Sequence, residues 1–326
     1  MIRLERTQAI GLSMAAAGAV AFSGKAIVAK LMYRLGADAI STVGLRMSLA
    51  LPLFLAMAWW TSRQAQGQTP LNRRQWAQVA VLGFFGYYLA STLDFLGLQY
   101  ISASLERAIL YLNPTMVLLL SAWWLGQRVR ALQWAAMGVA YLGVAVVWLH
   151  DWDMVAQGSK ALWLGSLLVL GSALSYAIYL VGSGRLLRVM GSSRLVAHAS
   201  VVACALCMVQ WAVCHGATDG RVGSLAGLPA AVYGWSMVNA LVCTVVPIWL
   251  LMQAIQRIGP AMAAQVGMVG PLSTLWMAAW WLGEPVTGTL LVGTAAILGG
   301  IVLLGWAGSG AGAQVSPAPV TPSGPR

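Results

Sequence analysis

The sequence predicts an all-α integral membrane protein. It should have ten transmembrane helices in two inverted-topology five-helix repeats, with both termini cytoplasmic. Three observations carry this reading. First, the chain is 60% hydrophobic with a mean hydropathy of +0.77, whereas soluble domains use about one-half apolar residues. Second, ten stretches are apolar over a membrane-spanning length, which takes about 20 residues of helix. Third, one block recurs at a constant offset that encloses an odd number of those stretches.

The elements follow in order. Span one, residues 9–32, comes after the basic MIRLERT. Its AIGLSMAAAGAVAF imitates the h-region of a signal peptide. Cleavage after Ser23 is the alternative reading, and the apolar residues that continue past it favour an uncleaved helix. Spans two and three are residues 39–60 and 76–98. Span four, 102–125, opens on SASLERAILYLNP, where Glu106 and Arg107 sit side by side in a chain only 8% charged. Span five, 132–149, is the shortest. Spans six to ten are 161–181, 195–213, 232–255, 261–282 and 288–306. Span seven holds Cys204 and Cys207 as a CxxC, without a second CxxC. Inside an apolar helix these two, like Cys214 and Cys243, read as small buried residues. The tail from 307 to 326 is rich in Gly, Pro, Ser and Ala and is expected to be disordered.

Orientation follows the basic residues of short loops, which favour the cytoplasm. With the N-terminus inside, Arg3, Arg6, Arg63, Arg73, Arg74, Arg128, Arg130, Arg185, Arg188, Arg194, Arg257 and Arg326 fall inside. Arg34, Lys160 and Arg221 fall outside. Acids lean the other way: Asp38, Asp151, Asp153, Asp219 and Glu284 lie outside and Glu5 inside. The net charge of +11 is thus loop charge of a membrane protein and argues no nucleic-acid partner.

PTMVLLLSAWWLGQRV, residues 114–129, aligns without a gap on PLSTLWMAAWWLGEPV, residues 271–286, with eight of sixteen positions identical. The offset of 157 also pairs Gln99 with Gln256, Ile101 with Ile258 and Gly143 with Gly300. A duplication follows, with repeats over 1–149 and 161–306 and a connection over 150–160. Five helices per copy make the second copy enter the membrane from the opposite side. Inverted repeats recur in secondary transporters, where two related states open to opposite sides.

GLQYISASLERAILYLNPTMVLLLSAWWLGQRV and AIQRIGPAMAAQVGMVGPLSTLWMAAWWLGEPV resemble the EamA-type transporters of the drug/metabolite transporter superfamily. Both look like that family's helix with a mid-span Pro ending in a Leu-Gly-Glu turn. The resemblance covers both halves, roughly residues 9 to 306. It implies ten helices around a central cavity, export of amino acids or other small metabolites, and no catalytic residues. The chain departs from the pattern at Gln127, where Glu is usual, and at Glu106 and Arg107, where small apolar residues are common.

Ionisable groups within a membrane cost about 2.5–3.5 kcal/mol each and mark functional sites by default. Lys25, Arg46, Asp94, Glu106 and Arg107 all fall in the outer half of the first repeat. Ala263 and Ala264 stand where the second repeat would match Glu106 and Arg107. Neighbours on a helix point about 100° apart. Each of Glu106 and Arg107 is therefore expected to find a partner on another helix: Asp94 for Arg107, Lys25 or Arg46 for Glu106. Such a mixed-sign cluster suits a substrate with both an amine and a carboxylate. The rivals are a structural ion-pair lock, and snorkelling of Glu106 to the interface. Tyr87, Tyr111 and Tyr176 are candidate cavity residues, and Pro114 and Pro271 are candidate hinges.

No HExxH or GxSxG occurs, and His150, His198 and His215 are scattered. A lipid-acting enzyme, a metal centre and a cofactor are not expected. A non-transporting sensor is the other alternative. The expected partners are the lipid bilayer and a small-molecule substrate, in the bacterial inner (plasma) membrane. The sequence leaves the oligomeric state open.

Overall fold

A computed structural model describes residues 2–64, 71–126, 129–154, 159–219, 228–267 and 269–312. The regular structure among them is entirely helical. The first half holds α1 (Ile2–Arg34), α2 (Ala39–Gln64), α3 (Arg73–Gly83), α4 (Ala90–Leu98), α5 (Ala103–Leu110), α6 (Asn113–Leu125) and α7 (Ala131–Met154). The second holds α8 (Ser159–Met190), α9 (Ser192–Asp219), α10 (Ala230–Ala240), α11 (Val246–Gly267), α12 (Val269–Met277) and α13 (Gly288–Gly312). A π-helical turn, Phe84–Leu89, joins α3 to α4, and another, Leu241–Val245, joins α10 to α11. Their first residues lie 157 apart, the offset of the sequence repeat. A third π turn, Ala278–Leu282, ends α12.

Among the described residues, eight helices are long and apolar enough to cross a membrane. They match spans one to three, five to eight and ten. The other two expected spans, four and nine, are not among them. Span four is α5 and α6, separated at Tyr111 and Leu112. There the chain tightens: Leu112 N–H donates to the Ile109 carbonyl at 3.0 Å, and Tyr111 and Leu112 have ψ of −8° and −7°. The cause is Pro114, which lacks an N–H, clashes with the carbonyl four residues back and disfavours helix before it. Pro114 therefore stands in the first turn of a new helix, where Pro is well accommodated. Span nine falls in the end of α11, in α12 and in the π turn after it, on either side of residue 268, which lies outside the described residues.

The helix ends have local causes. Asn72 and Gln75 form a reciprocal capping box at α3, each backbone N–H reaching the other's side chain at 2.8 Å. Asp38 accepts from the Ile40 and Ser41 N–H groups at the head of α2. Gly126 and Gly283 end the two WWLG stretches at φ of +67° and +72°, the left-handed geometry that Gly adopts without strain. The helix α13 runs to Gly312, six residues into the expected disordered tail. The rest of that tail, Gln127, Arg128 and Arg221 lie outside the described residues.

Each main helix packs on one from the other half: α1 on α10, α11 and α12, α2 on α9, α4 on α8 and α7 on α13. Glycines allow the approach, as small residues do between membrane helices. A Cβ at Gly143 would lie 2.6 Å from the Gly293 carbonyl oxygen, and one at Gly300 would lie 2.7 Å from that of Ala136. Along α1, Gly24 faces Cys243, Gly18 faces Leu250 and Gly11 faces Ile258, so α10 and α11 run antiparallel to it. Gly270 then lies back beside Ala19 and Ser23, so the chain reverses between 258 and 270. The outer surface is apolar: Leu142, Val209 and Val292 are exposed, with Trp123, Trp276, Trp280 and Trp306. Lipid tolerates such a surface, and the helices satisfy their own backbone.

A buried charge cluster as candidate functional site

The five charged residues singled out in the sequence are all buried, with Glu106 fully inaccessible. The helix α1 supplies Lys25, α2 supplies Arg46, α4 supplies Asp94 and α5 supplies Glu106 and Arg107. The Lys25 ammonium donates to Asp94 Oδ2 and stands 3.6 Å from Glu106 Oε1. Arg107 Nε lies 3.7 Å from Glu106 Oε2. Arg46 Nη2 donates to Ser91 Oγ at 3.0 Å, and its guanidinium lies 4.6 Å from the centre of the Phe95 ring. Phe22, one turn before Lys25 on α1, faces both Lys25 at 5.3 Å and Arg107 at 5.9 Å. These ring faces favour cations where water is excluded.

The expected pairing is corrected in one respect. Asp94 engages Lys25, and Glu106 lies between Lys25 and Arg107. Adjacent residues do point apart at the backbone, but a long arginine on a helix of one or two turns can fold back toward its neighbour. At 3.7 Å the contact is electrostatic rather than a hydrogen bond. Snorkelling of Glu106 is excluded, because none of its surface is exposed.

The cluster is charged beyond its pairings. Asp94 Oδ1, both Glu106 oxygens, Arg46 Nε, and Arg107 Nε and Nη2 are buried without a hydrogen-bond partner. Leaving such atoms unmatched costs about 1–3 kcal/mol each, more for charged groups. A lock built only for stability would satisfy them or use apolar residues, which often do as well.

Carboxylates from elsewhere hold the head of α5. Ser102 caps it, its hydroxyl accepting from Leu105 N–H at 2.9 Å. Asp151 accepts from the Ser102 N–H at 3.0 Å. Glu284, from the second WWLG turn, accepts from Ala103 N–H at 2.9 Å and the Ser104 hydroxyl at 2.8 Å. Negative charge at a helix N-terminus is favourable. Sequence reading placed both acids in outside loops and missed this role, although Glu284 stands in the quoted repeat motif. It also passed over Asn239, fully buried with both side-chain polar atoms unpartnered.

A cavity of about 10 Å³ adjoins Arg107, lined by Ser104, Tyr111, Pro271, Thr274 and Thr294 among others. It has room for about one water. Tyr111 thus joins the site, its hydroxyl donating to the Gly267 carbonyl at 3.3 Å. Tyr87 and Tyr176 do not. They pack with Tyr179 in a separate aromatic group, ring centres 5.2 and 5.6 Å from it. Pro114 lies in the first turn of α6, and Pro271 lies in α12. Among the described residues no group of His, Cys, Asp or Glu could hold a metal ion.

A model of the EamA-like transporter family matches residues 9–149 and 163–306. The uncharacterized transporter YcbK of Bacillus subtilis (strain 168) is 31% identical over 282 residues, covering 86% of this chain and 87% of the relative. A crystal structure with 17% sequence identity superposes with a TM-score of 0.61, covering 96% of this chain and 99% of that one, a likeness of fold.

Proposed function

The chain belongs to the EamA-like transporter family of the drug/metabolite transporter superfamily, whose members are multi-pass membrane transporters and not enzymes, and from that premise we propose a secondary transporter of a small polar metabolite. The substrate is an amino acid or a related compound, moved outward by alternating access. Ten helices in two inverted repeats, residues 1–149 and 161–306, cross the membrane with both termini in the cytoplasm. The observation that carries the reading is the buried cluster: five charged side chains from four helices, with donors and acceptors left unmatched. A polar substrate would supply the missing partners.

Proton coupling through Glu106 is part of the proposal. Glu106 is fully buried and accepts no hydrogen bond, so its proton can be gained and lost as neighbouring charges move. The test is flux in proteoliposomes of purified protein, with an imposed pH gradient. Wild type is expected to accumulate substrate against its gradient, and Glu106→Gln to carry substrate only downhill. Full retention of the pH response in Glu106→Gln would remove this residue from the coupling. An uncoupled facilitator would show downhill flux in both proteins.

A further inference from the structure

The charges of the buried cluster do not balance. Lys25, Arg46 and Arg107 face Asp94 and Glu106, three cations against two carboxylates, all buried. Asp151, also buried, is engaged at the Ser102 N–H, on the side of the cluster where Lys30, Arg34 and Glu284 gather. That outer group balances by itself: Lys30 and Arg34 against Asp151 and Glu284. The inner cluster keeps one surplus positive charge. The surplus has a location, because the unpartnered donors are on the arginines and Arg107 is the one that borders a cavity. The same wall carries the hydroxyl-bearing residues Ser104, Tyr111, Thr274 and Thr294.

We propose that this site selects substrates of net charge −1, with Arg107 taking the carboxylate at the cavity bounded by α5, α12 and α13, which has to widen beyond its present room for about one water as the halves part. Guanidinium matches carboxylate with paired donors, and one added anion neutralises the cluster. Of the wall hydroxyls, those of Ser104, Tyr111 and Thr274 already donate to Glu284 and to the Gly267 and Gly270 carbonyls, which leaves the Thr294 hydroxyl to face the anion beside Arg107. The three-helix setting matters, because α12 and α13 come from the second half while the charges come from the first. Closure of the halves around the anion then completes its coordination. This inference narrows the proposed substrate to anionic members of that class, acidic amino acids and related carboxylates, and rests on the transporter reading for the word substrate.

The experiment is a thermal-shift titration of the purified full chain with three molecules of one carbon skeleton: lactate, an anion; alanine, a zwitterion; and alaninamide, a cation. Formate is added as the smallest carboxylate, and sodium salts replace sodium chloride at constant ionic strength. Formate and lactate are expected to raise the melting temperature, alanine less and alaninamide not at all. Arg107→Gln should weaken lactate binding roughly tenfold or more, the loss of a charged hydrogen bond. Glu106→Gln should strengthen it, since that change enlarges the positive surplus. If Arg107→Gln does not fold, Arg107→Lys and Glu106→Gln still decide the matter. Equal shifts from alaninamide and lactate, no shift from either carboxylate, or no strengthening in Glu106→Gln would overturn the proposal. Flux of the same compounds separates the two claims. Lactate binding without any flux keeps the anion site and sinks the transporter reading. Alaninamide flux without carboxylate binding does the reverse.

Discussion

Lys25 and Asp94 make the closest ion pair of the cluster, and they decide between lock and site. Lys25→Met alone should cost roughly 3–5 kcal/mol, because it strands a buried carboxylate. The double change Lys25→Met with Asp94→Leu should recover most of that stability, read as melting temperature in detergent. Transport should stay lost in both. A double variant that recovers stability and transports normally would make the pair a lock. The identity of the buried charges was legible, because charged residues inside apolar spans are conspicuous. Their pairing was not, since it depends on side-chain reach across four helices. The role of Glu284 was also hidden, because a loop acid looks solvated until its partner helix is known. The packing of Tyr87 and Tyr176 against Tyr179 was hidden for a related reason: tyrosine suits an aromatic core as well as a cavity wall.

Among elements, the short α5 carries two charges and is fastened by carboxylates from α7 and the α12–α13 turn. Glu284→Ala removes acceptors from Ala103 and Ser104 and should cost about 1–3 kcal/mol, with Glu284→Gln intermediate. Reduced transport at matched expression would show that the fastening positions the charges on α5. The α7 and α13 interface offers a second test. Gly143→Val should destabilise by about 1–3 kcal/mol, because its Cβ would meet the Gly293 carbonyl and the Ile297 side chain. Gly299→Ala is the control: nothing lies within 4 Å of a Cβ there, and the helix should be unharmed. Most spans were legible from hydropathy alone. The break in span four was written in Leu-Asn-Pro, but apolar residues on both sides masked it. The π turns had no sequence signal, since they change hydrogen-bond register and not composition.

For the whole molecule, the proposed topology predicts which positions an impermeant maleimide reaches in intact cells. Single cysteines at Asp38 and Trp152 should label from outside, and one at Arg63 only after permeabilisation, in a background lacking Cys214, whose residue is exposed. Labelling of Arg63→Cys in intact cells would reverse the assigned orientation. The repeat was visible because Pro and WWLG survive in both copies, whereas the cross-half pairing of helices requires the fold. That pairing bears on how the protein is made. Ribosomes add about 5–20 residues per second, so α1 waits many seconds in the bilayer before α10 and α11 are synthesised. During that time its lipid-facing glycine stripe has no partner. The charged residues face no such delay, because Lys25, Arg46, Asp94, Glu106 and Arg107 all come from the first half. Their mutual neutralisation can begin as soon as α5 emerges, so the nascent first half holds only the one surplus positive charge in lipid while the second is translated.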